Sequence, residues 1–406
     1  MSKGIITGLD IGSSNIRVLV AEYFSGEKTF IVRALVQVPS EGLKNGYVTN
    51  SERLTTKIAE ALREAERIAG TRIKRANIAI GGVGLGTVMD TAVIAVSRAD
   101  SIVNEFDVSR LVSESETKVA ERPNIKILHT IGIEYRIDGR KIIGKPYGYA
   151  GNRLELRTMF ITGATPHQDA LVAAIEACGV EVTDVCASPV AESIVVLSAT
   201  ARNAGVALVN IGAETVSILV CEDGLPISLK IFPLGSNNIT HDIALGLRIS
   251  LEEAEKMKLL FGEKDLEKKI FKQVEDIVEA RLTDVLELVD THLRKIGRSA
   301  LLPAGIIFTG AGSLIPGLEN LARKQLSLPA KIGKSTIPGQ IGGIPNAEGK
   351  GARLREKLEK ARGPEWTITM GLVVMAVSEG PEESLSLRAV RRTKTGIVKF
   401  LRQFMP

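Results

Sequence analysis

Cysteine is nearly missing from this chain: Cys178, Cys186 and Cys221 are the three it has among 406 residues, with no Cys-x-x-Cys pair and no even-numbered framework. A disulfide-stapled secreted scaffold is therefore excluded, and the three are expected to be buried thiols of a reduced, cytosolic protein. Aromatics are equally scarce at 4%, with one Trp, so the cores have to be built from Ile, Leu, Val and Ala. No apolar run approaches a bilayer span; the longest, Ile368 to Val377, is ten residues, and a span needs about twenty. The opening residues, Met1 to Gly12, lack the apolar stretch of a secretory signal. The expectation is a chain that stays inside the cell and does not cross the membrane.

What is present is ordinary for a soluble globular protein: 44% apolar and 24% charged residues, with 39 Gly and 15 Pro. Disorder and fibrous repeats are excluded, and the length calls for two or three domains. The net charge of +5 is not spread evenly. After Glu383 stand Arg388, Arg391, Arg392, Lys394, Lys399 and Arg402 with no acid, and the rest of the chain, with 46 basic and 47 acidic residues, is nearly neutral. A neutral body argues against nucleic-acid binding, which needs a basic folded surface.

The first 40 residues alternate apolar and polar positions as a meander of three strands, Ile5 to Asp10, Ile16 to Glu22 and Thr29 to Val38, with a tight turn at Gly12-Ser13-Ser14. A helical period follows over Thr49 to Ala69, then a strand over Ile73 to Ile80. From Val83 to about Ile161 the pattern changes to extended segments around one acidic helix, Phe106 to Ala120, which reads as an inserted subdomain. Pro166 to Cys178 is helical and Val182 to Ala187 extended. The opening pattern then recurs: Val206 to Gly212 repeats an apolar strand, a polar residue and Ile-Gly, followed by strands over Val216 to Cys221 and Ile227 to Phe232. Two similar half-domains facing each other are predicted, the second carrying a helical block over Ile239 to Arg298, a strand over Gly305 to Thr309 and a last core helix over Thr367 to Ser378. Ser335 to Gly363 fits no pattern.

Asp10-x-Gly12-Ser13-Ser14-Asn15 at a strand–turn–strand junction suits a phosphate: glycine lets the backbone approach, successive N–H groups form an anion cradle, and Asp10 can hold Mg²⁺ through water. An ordinary Asx-type turn is the alternative. The second copy, Asn210-x-Gly212-Ala213-Glu214-Thr215, favours a pair of hairpins clamping one polyphosphate. Gly310-Ala311-Gly312-Ser313 after an apolar strand offers a surface for a base and ribose. Glu255 and Lys258 share one helix face at i, i+3, which taken alone is a surface ion pair. Together the four fit an ATP cleft between two lobes. His129, His167, His241 and His292 show no metal spacing, so solvated or core positions are expected for them.

With these residues the sequence resembles the actin-like ATPases, and within them the FtsA family of bacterial cell division. The likeness runs over nearly the whole chain. It includes Pro39-Ser40-Glu41-Gly42-Leu43-Lys44-Asn45-Gly46-Tyr47-Val48, Tyr135-Arg136-Ile137-Asp138-Gly139, Pro146-Tyr147-Gly148-Tyr149-Ala150-Gly151-Asn152-Arg153-Leu154-Glu155 and Gly235-Ser236-Asn237-Asn238-Ile239-Thr240-His241-Asp242. The resemblance implies an α/β, actin-like fold of two duplicated RNase H-like lobes with an FtsA-type insert and a C-terminal amphipathic helix. Its expected segments are 1–83 with 163–198 (first lobe), 84–162 (insert), 199–238 with 305–380 (second lobe), 239–304 (helical subdomain), 381–395 (linker) and 396–406 (membrane-targeting helix). It further implies ATP and Mg²⁺ as cofactors, with Asp10, Gly12, Ser13, Ser14 and Asn15 as first phosphate loop and Asn210 with Gly212 to Thr215 as second. Gly235, Glu255, Lys258 and Gly310 to Ser313 would hold ribose and adenine.

Two departures bear on mechanism. The actin-like pattern usually has Asp where this chain has Asn210, and an amide supplies no negative charge beside Mg²⁺. Relatives that hydrolyse ATP briskly have an acid before the proline matching Pro189; here it is Ser188, which is no base near neutral pH. ATP binding with slow hydrolysis is therefore expected, a weak ATPase at most. A third departure is a shortened segment between Gly262 and Ile277, where the family carries a longer piece in the subdomain that binds the tail of FtsZ.

From Thr395 onward a helical period sets Ile397, Phe400, Leu401, Phe404 and Met405 on one stripe, with Lys399 and Arg402 opposite. Such a helix would be roughly 15 Å long, too short to cross a bilayer and long enough to lie in its surface; docking on its own domain is the alternative. The expected partners are the FtsZ C-terminal tail, further copies of the chain in a filament, anionic lipid and other divisome proteins, with no nucleic acid. The expected role is anchoring FtsZ filaments to the inner face of the cytoplasmic membrane. A PilM-type pilus-assembly scaffold and a sugar or acetate kinase are the competing readings of the same fold.

Overall fold

The computed structural model describes residues 3–24, 30–97, 100–263, 267–335 and 362–379. The expected linker and C-terminal helix, with Ile397, Lys399, Phe400, Leu401, Arg402, Phe404 and Met405, and nearly all of 335–363, lie outside the described residues.

Alternation makes the first sheet. Strands β1 (Lys3–Ile11), β2 (Asn15–Phe24) and β3 (Phe30–Pro39) form an antiparallel meander, and in β3 every second side chain, Phe30, Val32, Ala34, Val36 and Val38, is buried. A short hairpin, β4 (Leu43–Lys44) and β5 (Tyr47–Val48), leads to α1 (Ser51–Ala69). The Asn50 side chain caps that helix by accepting from Arg53 N–H, and the stripe Leu54, Ile58, Ala61, Leu62, Ala65 faces inward; such a cap stabilises by about 1 kcal/mol. Strand β6 (Arg75–Ile80) then runs parallel to β1.

Strand β7 (Gly86–Ala95), α2 (Glu105–Ala120), β8 (Ile125–Ile137), β9 (Arg140–Ile142) and β10 (Arg153–Ala164) form an antiparallel sheet in the order β7-β10-β8-β9. Its core is its own: Ala92, Leu154 and Leu156 from the sheet meet Val108 and Leu111 of α2. The chain returns through α3 (Thr165–Glu176) to β11 (Glu181–Ala187), which completes the first sheet in the order β11-β6-β1-β2-β3.

After α4 (Ser188–Val196) and α5 (Ala199–Ala204) the meander repeats as β12 (Val206–Ile211), β13 (Val216–Glu222) and β14 (Leu225–Phe232). Three helices follow, α6 (Ser236–Leu247), α7 (Leu251–Glu263) and α8 (Lys268–Lys295). Then come β15 (Ile306–Thr309), α9 (Leu318–Leu326), β16 (Ala330–Ile332) and finally α10 (Thr367–Glu379). The sheet order β14-β13-β12-β15-β16 reproduces the first sheet role for role, meander first and two parallel strands after it. Strand β12 is covered on both faces: Ala207, Val209 and Ile211 pack with α8, while Val206 and Leu208 turn to the core shared with the first sheet.

Two helices join the lobes. Helix α4 follows the first sheet in sequence yet reaches β12 and β13, and α10 packs on β1, β2 and β6 of the first sheet. Helix α10 falls in the 305–380 segment expected for the second lobe, and its Met370, Leu372, Val373 and Met375 are buried in the core built on the first sheet. The two helices also pack on each other, so closely that a Cβ added to Gly371 would stand 2.0 Å from the carbonyl oxygen of Ala191. Alanine in a helix interior gains about 1 kcal/mol over glycine, but a clash against fixed backbone costs about 1–3 kcal/mol, and the clash should win. Gly371→Ala is therefore expected to lower the urea unfolding midpoint at unchanged slope; an equal or higher midpoint would contradict this packing.

Candidate functional site

The two hairpins are built alike. Gly12 N–H donates to Asn15 O at 3.0 Å in the first, and Gly212 N–H to Thr215 O at 2.9 Å in the second. Asp10 lies across the strand pair from Arg17, and Asn210 occupies the same place across from Ser217. Both turns open onto one cleft of about 480 Å³ between the lobes. Asp10, Gly12, Ser13, Ser14 and Asn15 line it from the first lobe; Asn210, Gly212, Ala213, Glu214 and Thr215 line it from the second.

Of the remaining residues singled out in the sequence, Glu255, Lys258, Gly310, Ala311 and Gly312 also face the cleft. Lys258 Nζ reaches Glu255 Oε2 at 2.7 Å and donates to Thr240 Oγ1 at 2.8 Å, with its side chain 9% exposed. The pair forms as the alternative reading has it, with Lys258 drawn inward and Glu255 half exposed. Gly235 and Ser313 do not line the cleft. Gly235 packs against the backbone of Ala213 and starts α6, whose Ser236 and Asn237 face the cleft instead. Ser313 is buried and its hydroxyl donates to Gly310 O at 2.7 Å, closing the turn after β15.

Three charged residues were not found by sequence reasoning. Arg17 lines the cleft floor, with Nη1 3.8 Å from Asp10 Oδ2, Nε donating to Gln37 Oε1 at 3.0 Å and its guanidinium 5.9 Å from the Trp366 ring centroid. Burial pushes the Asp10 carboxyl up to about 6 while Arg17 pulls it down, and burial lowers the Arg17 guanidinium against the pull of Asp10 and Glu365. Glu192, in the middle of the otherwise apolar α4, is 1% exposed. It accepts hydrogen bonds from the Asn210 side-chain amide, from Thr367 Oγ1 at 3.0 Å and from Thr309 Oγ1 at 3.3 Å. Burial drives its carboxyl up to about 8, so near neutrality it is largely a protonated acid. Glu365 faces the cleft beside Arg17. The signal for all three was a lone charge inside or beside an apolar segment.

A bond crosses the cleft: Asn45 N–H donates to Glu214 Oε2 at 2.5 Å, tying the loop between β4 and β5 to the second hairpin. His167 also faces the cleft, its Nδ1 accepting from Val48 N–H at 3.3 Å, and the half-buried His129 accepts from Ala187 N–H at 2.9 Å. Among the described residues no cluster of three His, Cys, Asp or Glu could hold a metal by itself. The donor set suits at most a hydrated Mg²⁺ arriving with a polyphosphate, with Asp10 as the one acid at the two equivalent strand ends.

Comparison with known proteins agrees with this architecture. A family model described as "Cell division protein FtsA" matches residues 207–371, and one described as "SHS2 domain inserted in FTSA" matches residues 85–162. The chain is 32% identical over 357 residues to the cell division protein FtsA of Bacillus subtilis (strain 168), covering 83% of this chain and 80% of that protein. It is 28% identical over 407 residues to the cell division protein FtsA of Pseudomonas aeruginosa, covering 95% of this chain and 93% of that protein. Among solved structures, a chain of the PilM-PilN type IV pilus biogenesis complex aligns with a TM-score of 0.65 at 17% identity, covering 92% of this chain and 98% of that one.

The buried acid gives stability a sign against pH. Glu192 holds its proton more tightly folded than unfolded, so its contribution is full below about pH 4.5 and is lost as pH rises towards about 8. His129, held neutral and lowered to about 4 by burial, acts oppositely, but its contribution is complete above about pH 6.5. Between about pH 7 and 8 the Glu192 slope stands alone, on the order of 1 kcal/mol per pH unit. Urea unfolding across that window should show wild type losing stability and Glu192→Gln staying level; parallel curves would contradict the assignment.

Proposed function

The chain belongs to the FtsA family of cell-division proteins and has the actin-like ATPase fold, and on that footing we propose that it binds ATP in the interlobe cleft and tethers FtsZ filaments to the cytoplasmic membrane. The observation that carries the nucleotide reading is the twin hairpin: two turns with the same internal bond and register, one from each sheet, open onto one cavity. A linear polyphosphate is a ligand two such turns can hold from opposite sides, by backbone N–H groups and by the cation Arg17, with Glu255 and Lys258 beside the ribose and base. Mg²⁺, bound together with the phosphates and held by Asp10 through water, would supply charge neutralisation. The likeness to the pilus complex, at 17% identity, speaks to the fold alone.

Slow hydrolysis follows from the same residues. Ser188 faces the cleft where a base would be needed, and Asn210 offers an amide. ATP then serves as an assembly ligand: closing the lobes favours head-to-tail contacts between copies. The C-terminal stripe read from the sequence supplies the membrane contact, and the helical subdomain of α6, α7 and α8 the contact with the FtsZ tail. One short amphipathic helix binds lipid weakly, and many on one filament bind far more tightly through effective concentration. Other divisome proteins would meet the same assembly on the inner face of the membrane.

Calorimetry with Mg·ATP should give one site per chain, weakened about tenfold in Lys258→Ala. Turnover by the isolated protein should stay below about one per second, the low end of ordinary enzymes; no binding, or brisk turnover, would contradict the reading. Separately, wild type should pellet with phosphatidylglycerol vesicles and a variant lacking 396–406 should remain in the supernatant. Equal pelleting would remove the tail from the mechanism.

A further inference from the structure

Glu192 stands behind the second hairpin, where four elements converge on its carboxyl group. Helix α4 carries it, and Asn210 at the end of β12, Thr309 at the end of β15 and Thr367 at the start of α10 each bond to it. Asn210 is the one of these partners that also lines the cleft. Its Nδ2 is given to Glu192, which leaves Oδ1 on the side of Gly310, 2.7 Å from where a Cβ on that glycine would stand.

We infer that Glu192 is a positioning residue of the cleft: its carboxyl group selects which end of the Asn210 amide a bound nucleotide meets. The inference rests on the nucleotide reading of the cleft and extends it. An ionised carboxylate has acceptors only, so it takes Nδ2–H and leaves Oδ1 towards cleft-lining Gly310, the arrangement the bond and the close approach to Gly310 record. A protonated carboxyl has one O–H to give; Oδ1 can accept it, and the amide then turns over to present Nδ2 to the cleft. To a phosphate oxygen these two faces are opposite. An outward Oδ1 sets acceptor against anion and suits the water shell of a cation, whereas an outward Nδ2–H makes a charge-assisted bond to phosphate.

The surroundings of Glu192 permit both states. The groups bonded to it from β12, β15 and α10 are the neutral Asn210, Thr309 and Thr367, and the charge acting on it from β1 is Asp10, which is itself paired with Arg17. Burial pushes Glu192 up to about 8; the bonds from Thr367, Asn210 and Thr309 oppose this, and the negative Asp10 adds to it. The proton on Glu192 thus comes and goes within a range where the protein can be handled, and with it the polarity that the second hairpin offers to the nucleotide.

The test is titration of the full chain with the fluorescent analogue mant-ATP in EDTA, at about pH 7 and about pH 9, on either side of the Glu192 transition. Wild type should bind about tenfold more weakly at the higher pH, the worth of one charge-assisted hydrogen bond. Glu192→Gln, permanently neutral, should bind equally at both. Asn210→Ala, which has no amide to turn, should also lose the pH dependence, and it keeps the idea falsifiable if the first variant folds poorly. A wild-type profile retained in Glu192→Gln overturns the inference. So does a wild-type profile retained in Asn210→Ala, which would mean that Glu192 acts through its charge alone. If wild type binds no mant-ATP at either pH, the nucleotide reading itself fails and the inference falls with it; binding with an unaltered profile sinks the inference and leaves that reading standing.

Discussion

Two hairpins from sheets that share no strand can grip one ligand only if something fixes their separation, and here that is the contact of α4 with α10. Gly371 lets the α10 backbone come against Ala191 of α4. Helix α4 touches strands of both sheets, and α10, which follows the second sheet in sequence, packs on the first, so the crossing ties the end of β1 to the end of β12. Glu192, next along α4 from Ala191, then joins that crossing to Asn210, Thr309 and Thr367. The geometry of the cleft and the polar core behind it are consequences of the same close approach. Interiors this tightly packed have discrete arrangements rather than a continuum, which is what a clamp driven by a ligand requires.

Charge is arranged around the cleft under the ordinary rule that a buried ion needs a partner or loses its charge. Asp10 has Arg17, Lys258 has Glu255 and Thr240, and Glu214 takes a backbone N–H from across the cleft. Glu192 has no cation among the groups bonded to it and answers by holding a proton. A polyphosphate entering the cleft would trade against these existing contacts, above all the Glu214–Asn45 bond that spans the lobes. Nucleotide binding and lobe position are in this way expressed through the same few side chains.

Much of this was legible from residue order alone. The meanders, the helices and both turns follow from short-range rules: alternation, a helical period, and glycine where a hairpin needs it. The repeat of Asp10-x-Gly12 as Asn210-x-Gly212 disclosed two facing halves because the duplication preserved strand, turn and register together. What escaped was set by contacts distant in sequence. Nothing local to Thr367–Glu379 says on which sheet that helix will rest, and its place on the first sheet is decided by tertiary packing. Arg17 and Glu192 read as lone charges in apolar segments, because the partners that explain them, such as Trp366 and Thr367, lie far along the chain. The motif points Ser313 to the cleft, whereas its hydroxyl satisfies the carbonyl of Gly310. Gly235 missed by one position, since the helix it starts offers Ser236 and Asn237 to the cleft.

The central claim is that one nucleotide is held by both hairpins at once. Crystals grown with Mg²⁺ and a non-hydrolysable ATP analogue test it most directly: the account predicts a triphosphate lying between Gly12–Asn15 and Gly212–Thr215, with Arg17 turned towards it and Lys258 towards the ribose and base. A cleft left vacant under saturating analogue, or a nucleotide seated against one hairpin with the other turned away, would contradict it.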